Sequence, residues 1–289
     1  MLDDFAVFIL THGRADNVIT YRTLQKAGYT GRVYIVIDNE DKQAEKYYQN
    51  FGRDKVIMFD KAAIAETFDE GDNFQDRRAI IYARNACFDI AEKLGIEYFM
   101  QLDDDYYNLC YKINGKFEYV NSDYSTTFIN ADAVFSLLLD FYKSIGCTSL
   151  AIGQGGDYIG GKNSSSWTSQ NLRRKAMNSF ICSTSRRFQF VGRVNEDVNT
   201  YTSIQNKGIL FLTFPLVAIQ QKASQAQSGG MSEMYLDSGT YIKSFYTVMY
   251  QPSSVKVGLM GETHKRLHHS IDWETTVPCI LSEQFRKVS

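Results

Sequence analysis

Residues 97–105 read Glu97-Tyr98-Phe99-Met100-Gln101-Leu102-Asp103-Asp104-Asp105. An apolar run passes directly into three adjacent carboxylates. Such a cluster repels itself unless a cation sits among the carboxylates or water screens them. Oxygen-only ligands suit a hard ion, Mg2+ or Mn2+, which usually keeps several waters and bridges substrate phosphates. The same pattern also fits a solvated acidic turn, so its weight depends on what surrounds it.

Upstream, residues 5–11 (FAVFILT) are apolar throughout, the mark of a strand buried on both faces in a parallel sheet. His12-Gly13-Arg14 then turns. Asp16 or Asn17 can cap a helix reaching about Lys26, with Gly28 helping to end it. A second strand, residues 32–37 (RVYIVI), runs into Asp38-Asn39-Glu40-Asp41. Strand, helix and strand in about 35 residues make a βαβ unit. Ligands of such sheets bind at the carboxyl ends of the strands. That rule puts Thr11, His12, Gly13, Arg14 and Asp38 on one rim, with Asp38 able to accept from a uracil or ribose group. Alternatively, Asp38-Asn39 only starts the next helix, at residues 44–50.

A short strand at 55–59 and a polar stretch at 60–76 lead to a helix expected over residues 77–94 and stopped by Gly95. Ile80, Ala83, Cys87, Ile90, Ala91 and Leu94 recur at helical spacing and form its expected buried face. Arg77 and Arg84 stand two turns apart on this helix. With Asn85, they could be aimed at a diphosphate, since a guanidinium binds phosphate through paired donors. Pairing with Asp76, Asp89 or other surface carboxylates is the plainer alternative. Beyond the acidic strand end, Asn114-Gly115 marks a hairpin between 109–113 and 116–120. Asn130 caps a helix over 131–145, and 148–152 is a strand. Residues 153–175 are Gly- and Ser-rich without the spacing of a phosphate loop, and read as an acceptor-side lid. Strands are expected at 178–184 and 187–191.

Glu196-Asp197 then open a helix that ends at Gly208. Acids in a first turn also suit the helix dipole; the chemical reading is a general base aimed at an acceptor hydroxyl. A buried strand (209–219), a tight turn at 227–231, a helix (240–250) and a strand (255–259) follow. His264, His268 and His269 gather near the end, where one could supply a further metal ligand.

Size and charge set the frame. The chain has 289 residues, 44% hydrophobic and 22% charged, with a net charge of −2, so its overall balance gives nucleic-acid binding no support. The five cysteines are scattered with no CxxC pair, pointing to reduced thiols in a cytoplasmic setting. No run of about 18 apolar residues occurs, so no membrane span is expected.

Four motifs in order now carry a resemblance: ARN at 83–85, LDDDY at 102–106, NEDVNTY at 195–201 and QSGGMSEMY at 227–235. The chain resembles nucleotide-sugar glycosyltransferases of the GT-A fold, and within them the TET/JBP-associated glycosyltransferases of phages and kinetoplastids, which glycosylate hydroxymethylated pyrimidines in DNA. The resemblance implies a single α/β domain with a central mixed, mostly parallel sheet flanked by helices. Its nucleotide-sugar half would span about residues 1–120 and its acceptor half about 121–289. It further implies a UDP-sugar donor, glucose by default, Mn2+ or Mg2+, and a hydroxymethylpyrimidine DNA acceptor. By carry-over, Asp103, Asp105 and His264 are the metal ligands. Asp104 meets the sugar or diphosphate, and Asp197 is the base with Glu196 beside it. Arg173-Arg174-Lys175, Arg186-Arg187, Arg193 and Lys265-Arg266, with Trp167 and Phe190 nearby, are the local features that could meet DNA. A saccharide, lipid or protein acceptor, or a non-catalytic scaffold with a decayed pocket, are the alternatives.

Overall fold

The computed structural model describes residues 4–72, 77–164, 175–221, 239, 241–261, 265–276 and 282–283. Its centre is a nine-stranded sheet in the order β3-β2-β1-β4-β8-β7-β9-β5-β6. The strands are β1 (Phe5–Leu10), β2 (Arg32–Asp38), β3 (Val56–Phe59), β4 (Tyr98–Asp103), β5 (Tyr106–Tyr111), β6 (Thr126–Thr127), β7 (Ser149–Gly153), β8 (Ser179–Ser183) and β9 (Phe211–Gln221). β8 and β5 run against their neighbours; the others share one direction. The sheet is therefore mixed and mostly parallel, as expected. A separate antiparallel pair joins β10 (Val255–Met260) to β11 (Arg266–Ile271).

The apolar run of β1 is explained by burial on both faces. Phe5, Val7 and Ile9 join one core with Leu24 of α1 (Ile19–Lys26), Tyr47 of α2 (Ala44–Phe51) and Phe135 and Leu138 of α5 (Ala131–Ser144). Ala6, Phe8 and Leu10 join the other core with Ile81, Cys87 and Phe88 of α4 (Ile81–Lys93) and Val198 and Tyr201 of α6 (Glu196–Gln205). Stacked and edge-on aromatics, Phe8 on Phe99 and Phe88 on Phe99, fill the second core. Each such side chain removed from water contributes about 1.5–3 kcal/mol.

Several local expectations are corrected. α1 begins after Val18, with no side-chain cap from Asp16 or Asn17; Asp16 pairs with Lys46 instead. α4 starts at Ile81, so Arg77 precedes it and shares no helical face with Arg84. Leu94 is exposed, whereas Ile81, Tyr82, Arg84 and Asn85 are buried. Residues 187–191 are not a strand. α3 (Lys61–Ala65), capped by Asp60 accepting from the Ala63 N–H at 3.0 Å, and strand β11 were not expected. In the hairpin turn Asn114 accepts from the Lys116 and Glu118 N–H groups, and Phe117 takes the left-handed conformation at φ 60°.

The strand order decides where the site lies. β1, β2 and β3 are laid down in one direction from the middle and β4 in the other, so the β1/β4 junction is the point where a crevice opens at the strand ends. The ends of β1, β2, β4, β7 and β9 and the starts of β8 and β5 share that rim.

Candidate active site

Leu10 pairs with Asp103 at the β1/β4 junction, and the three carboxylates part company there. Asp104 turns back beneath β1. Thr11 Oγ1 donates to its Oδ2 at 2.6 Å, and Arg14 Nη1 donates to its Oδ1 at 2.9 Å. Both oxygens of Asp104 are thus engaged in holding the 11–14 turn, which places it in the scaffold rather than against a sugar. Burial raises its pKa, against the pull of Arg14 and Thr11. Asp103 faces the other way, where Arg84 Nη2 donates to its Oδ1 at 2.9 Å. Burial pushes the Asp103 carboxyl up to about 7, opposed by Arg84 and aided by Asp105, Glu196 and Asp104.

Arg84 reaches further. Its Nε donates to Glu196 Oε1 at 2.9 Å, and its guanidinium lies over the Phe180 ring at 4.9 Å. The side chain is 1% exposed, so it meets carboxylates inside the protein and not Asp89 or the other surface carboxylates of the plainer alternative; Asp76 lies outside the described residues. Asn85 is likewise occupied: it donates to the Phe190 carbonyl at 3.1 Å and accepts from the Phe190 N–H at 2.9 Å. Arg77 lies across Glu40, with 2.7 and 3.0 Å contacts.

On the β1/β2 side of the crevice, the Gly13 N–H donates to Asp41 Oδ2 at 2.7 Å, with Gly13 at φ 69°. His12 Nδ1 lies 2.7 Å from Asp38 Oδ2, and this hydrogen bond raises the histidine pKa and lowers that of Asp38. Buried Lys61 stands 3.4 Å from the same Asp38 oxygen. The Tyr47 hydroxyl contacts Thr11 Oγ1 at 3.0 Å and accepts from the Arg14 N–H at 2.8 Å. Thr11, His12, Gly13, Arg14 and Asp38 therefore do meet on one rim. Asp41, Tyr47 and Lys61 complete it.

Across the crevice, Asn195 takes the left-handed conformation, φ 64°, and starts α6. Its Nδ2 donates to Thr247 Oγ1 at 2.6 Å on α7 (Ile242–Tyr250) and lies 3.5 Å from His269 Nδ1 on β11. Asp197 is buried and accepts from the Val198 N–H at 2.7 Å. Burial and the adjacent Glu196 push its carboxyl up to about 7, against Arg84. A carboxylate with that pKa is poised to take a proton near neutrality. His268 and His269 stack at 4.2 Å. Burial, His268, Lys243 and Lys175 hold His269 down at about 3, so it stays neutral. His264 lies outside the described residues, as does the segment 227–235.

Among the described residues no group of three or more His, Cys, Asp or Glu could hold a metal ion. Two carboxylates nevertheless fit a hard ion, since Mg2+ sites use one or two carboxylates plus waters and substrate phosphates. Asp103 and Asp105 stand at the strand end while Asp104 is withdrawn from it. The expected DNA-facing features fare differently. Arg186 Nη1 donates to the carbonyls of Tyr142, Ile145 and Cys147. Arg187 pairs with Asp89 and Glu92, and buried Arg193 with Asp72. Lys175 pairs with Asp157, and Phe190 is fully buried. Lys265 and Arg266 remain exposed, and Trp167, Arg173 and Arg174 lie outside the described residues. No helix among the described residues is long and apolar enough to cross a membrane.

The profile of the TET-associated glycosyltransferases matches residues 5–230. A comparison with curated proteins finds no significant match. Similar solved structures include glucosyl-3-phosphoglycerate synthase from Mycobacterium tuberculosis in complex with Mg2+ and UDP, at 6% identity and a TM-score of 0.47, covering 92% of this chain and 87% of that one. The same enzyme with Mn2+, UDP and phosphoglyceric acid aligns at 8% identity and a TM-score of 0.45, covering 92% and 86%.

Proposed function

Since the chain belongs to the TET-associated glycosyltransferase family, we propose that it moves a sugar from a UDP-sugar to the hydroxymethyl group of a modified pyrimidine in DNA, with inversion at the anomeric carbon. One observation carries the reading: a single buried guanidinium, Arg84, joins Asp103 at the β4 end to Glu196 at the start of α6. It fixes the distance between a carboxylate suited to the donor diphosphate and the adjacent Asp197, suited to the acceptor.

In this reading Thr11, His12, Gly13, Arg14 and Asp38 line the nucleotide. Asp38, held by His12 and Lys61, accepts from the uracil or ribose. Asp103 and Asp105 would hold Mn2+ or Mg2+, whose charge offsets that building on the departing UDP. Asp197 takes the proton from the acceptor hydroxyl as its oxygen attacks from the face opposite UDP, so an α-linked donor gives a β-linked product. Asp104 keeps the 11–14 turn in place. A lid role for residues 153–175 stays a proposal whose central part, 165–174, lies outside the described residues.

The test is transfer from a panel of UDP-sugars, glucose first, to DNA containing hydroxymethylcytosine or hydroxymethyluracil, read by mass spectrometry of the digested nucleosides. A gain of one sugar that disappears with a chelator is the expected result. UDP release with no gain on any DNA would move the acceptor to a saccharide, the second reading. That reading draws on the internal pairing of Arg186, Arg187 and Arg193. Retained anomeric configuration by NMR would remove Asp197 from its role.

A further inference from the structure

A pocket of about 440 Å3 opens on the same rim, on the far side of β4 from the nucleotide residues. Its polar lining is neutral: Gln154, Asn178, Gln220 and Gln221, with the half-exposed Tyr107 ring and the bare backbone of Gly155 and Gly156. The volume lies within the range of small-molecule sites, about 300–1,000 Å3. Among the described residues no cation lines it. Its wall adjoins the acidic cluster. Leu102 pairs with Ser179, Tyr106 pairs with Gln221, and the Tyr106 hydroxyl donates to the Asn178 carbonyl at 2.6 Å.

One feature marks it as a binding surface. Asn178 holds the left-handed conformation at φ 57°, which asparagine adopts more readily than other residues with side chains. In that state its Nδ2 donates to Gln154 Oε1 at 2.9 Å and to Gln221 Oε1 at 3.3 Å, locking both amides. The lock turns Gln154 so that its Nε2 is shut from solvent without a hydrogen-bond partner. Buried donors are normally satisfied, and a ligand carbonyl that draws the Gln154 amide toward the pocket would supply the partner.

We propose that this pocket receives the acceptor pyrimidine ring itself, extruded from the duplex, with Tyr107 against its face and Gln154 donating to a ring carbonyl; the proposal rests on the DNA reading above. Pyrimidines carry a carbonyl at C2 whichever base they are, and an enzyme that alters a base takes it out of the stack and reads its polar edge. The hydroxymethyl group would then project toward Asp103 and Asp197.

The probe is a duplex carrying one pyrrolo-cytosine, whose fluorescence rises on unstacking, mixed with protein free of donor and metal. Gln154→Leu removes the donor at nearly constant volume. Asn178→Gly removes the locking amide while keeping a backbone that glycine adopts freely. The unaltered protein should raise the fluorescence, and both variants should lose most of that rise. Both should also raise the KM for hydroxymethylpyrimidine DNA at least tenfold, with UDP affinity by calorimetry within twofold of the original. Unchanged fluorescence and KM in both variants, with transfer to DNA intact, would overturn the pocket assignment alone. Loss of transfer to a free saccharide in the variants, with DNA transfer unaffected, would reassign the pocket to a sugar and overturn it too. Failure of the unaltered enzyme to modify any DNA, while it releases UDP, would take down the DNA reading and this assignment with it.

Discussion

At Asp197, the proposed base, the chemistry asked of it and stability pull in opposite directions. Its folded pKa of about 7 stands above the ordinary 3.8, so between those values the folded chain holds the proton more tightly than the unfolded chain does. The stability this contributes is present below about pH 4 and is lost as pH rises toward 7. Asp197→Asn removes the buried charge, so at pH 8 its Tm should rise by a few degrees, about 1–2 kcal/mol. The same change should lower kcat by about 10^2–10^4. In the unaltered enzyme, log kcat should climb with unit slope up to about pH 7 and then level off, because only the ionised carboxylate takes a proton. Full activity in Asp197→Asn would transfer the role to Glu196. Arg84 offers the converse case. Arg84→Met strands Asp103 and Glu196 without their shared cation, and removing one partner of a buried pair costs about 3–5 kcal/mol. Urea denaturation reads this directly; a loss under 1 kcal/mol would show that water reaches the pair. Asp103 and Asp197 were legible as candidates because acids that close a strand or open a helix stand out in sequence. Asp41, Tyr47 and Lys61 were not. Each takes its role from partners 20 or more residues away, and a tyrosine or lysine within a helical stretch carries no local mark of that.

Among the elements, legibility followed burial. β1, β2, β4, β7 and β9 were readable because buried strands leave apolar runs. α3, β11 and the true start of α4 were not. α3 has five residues and depends on the Asp60 cap. β11 reads Arg-Leu-His-His-Ser-Ile, a pattern without apolar alternation that becomes a strand by pairing with β10. At the head of α4, Arg77 is drawn to Glu40 instead of joining the helix. The α1–β2 connection shows how little slack such elements have. Gly28 sits at φ 76°, and a Cβ there would come 2.7 Å from the Ile129 carbonyl oxygen. Gly28→Ala should therefore cost about 2 kcal/mol or more, from the backbone state and the clash together. Calorimetry should show the lower Tm while UDP binding per folded molecule stays the same; an unchanged Tm would mean that the loop before α5 yields.

For the molecule as a whole, charge is the quantity in question. The net charge of −2 and the pairing of Arg186, Arg187 and Arg193 within the chain take three of the expected cations from a phosphate backbone. If two to four phosphates are neutralised, log K should fall with log salt at a slope of roughly −2 to −4, or about tenfold to a few hundredfold between about 50 and 200 mM. Fluorescence anisotropy on hydroxymethylpyrimidine DNA measures this, and a slope near zero would speak for an uncharged acceptor. The broad class, an α/β sheet with its acids at a strand's carboxyl end, was plain in the sequence, since it follows from apolar runs and their order; that the sheet is mixed was an expectation of the family resemblance. Which arginines remain outside was not, because that depends on contacts between distant segments.

The hydrogen bond from Asn195 to Thr247 has a bearing on inheritance. It fastens the head of the helix carrying Asp197 to a segment that begins after residue 230, where the family profile stops. Kinship and cooperative unit therefore have different borders. A gene trimmed to the recognisable portion would keep the residues proposed for the donor but lose the brace at the head of the helix that carries the proposed proton acceptor. Divergence in the tail would be felt there through that brace.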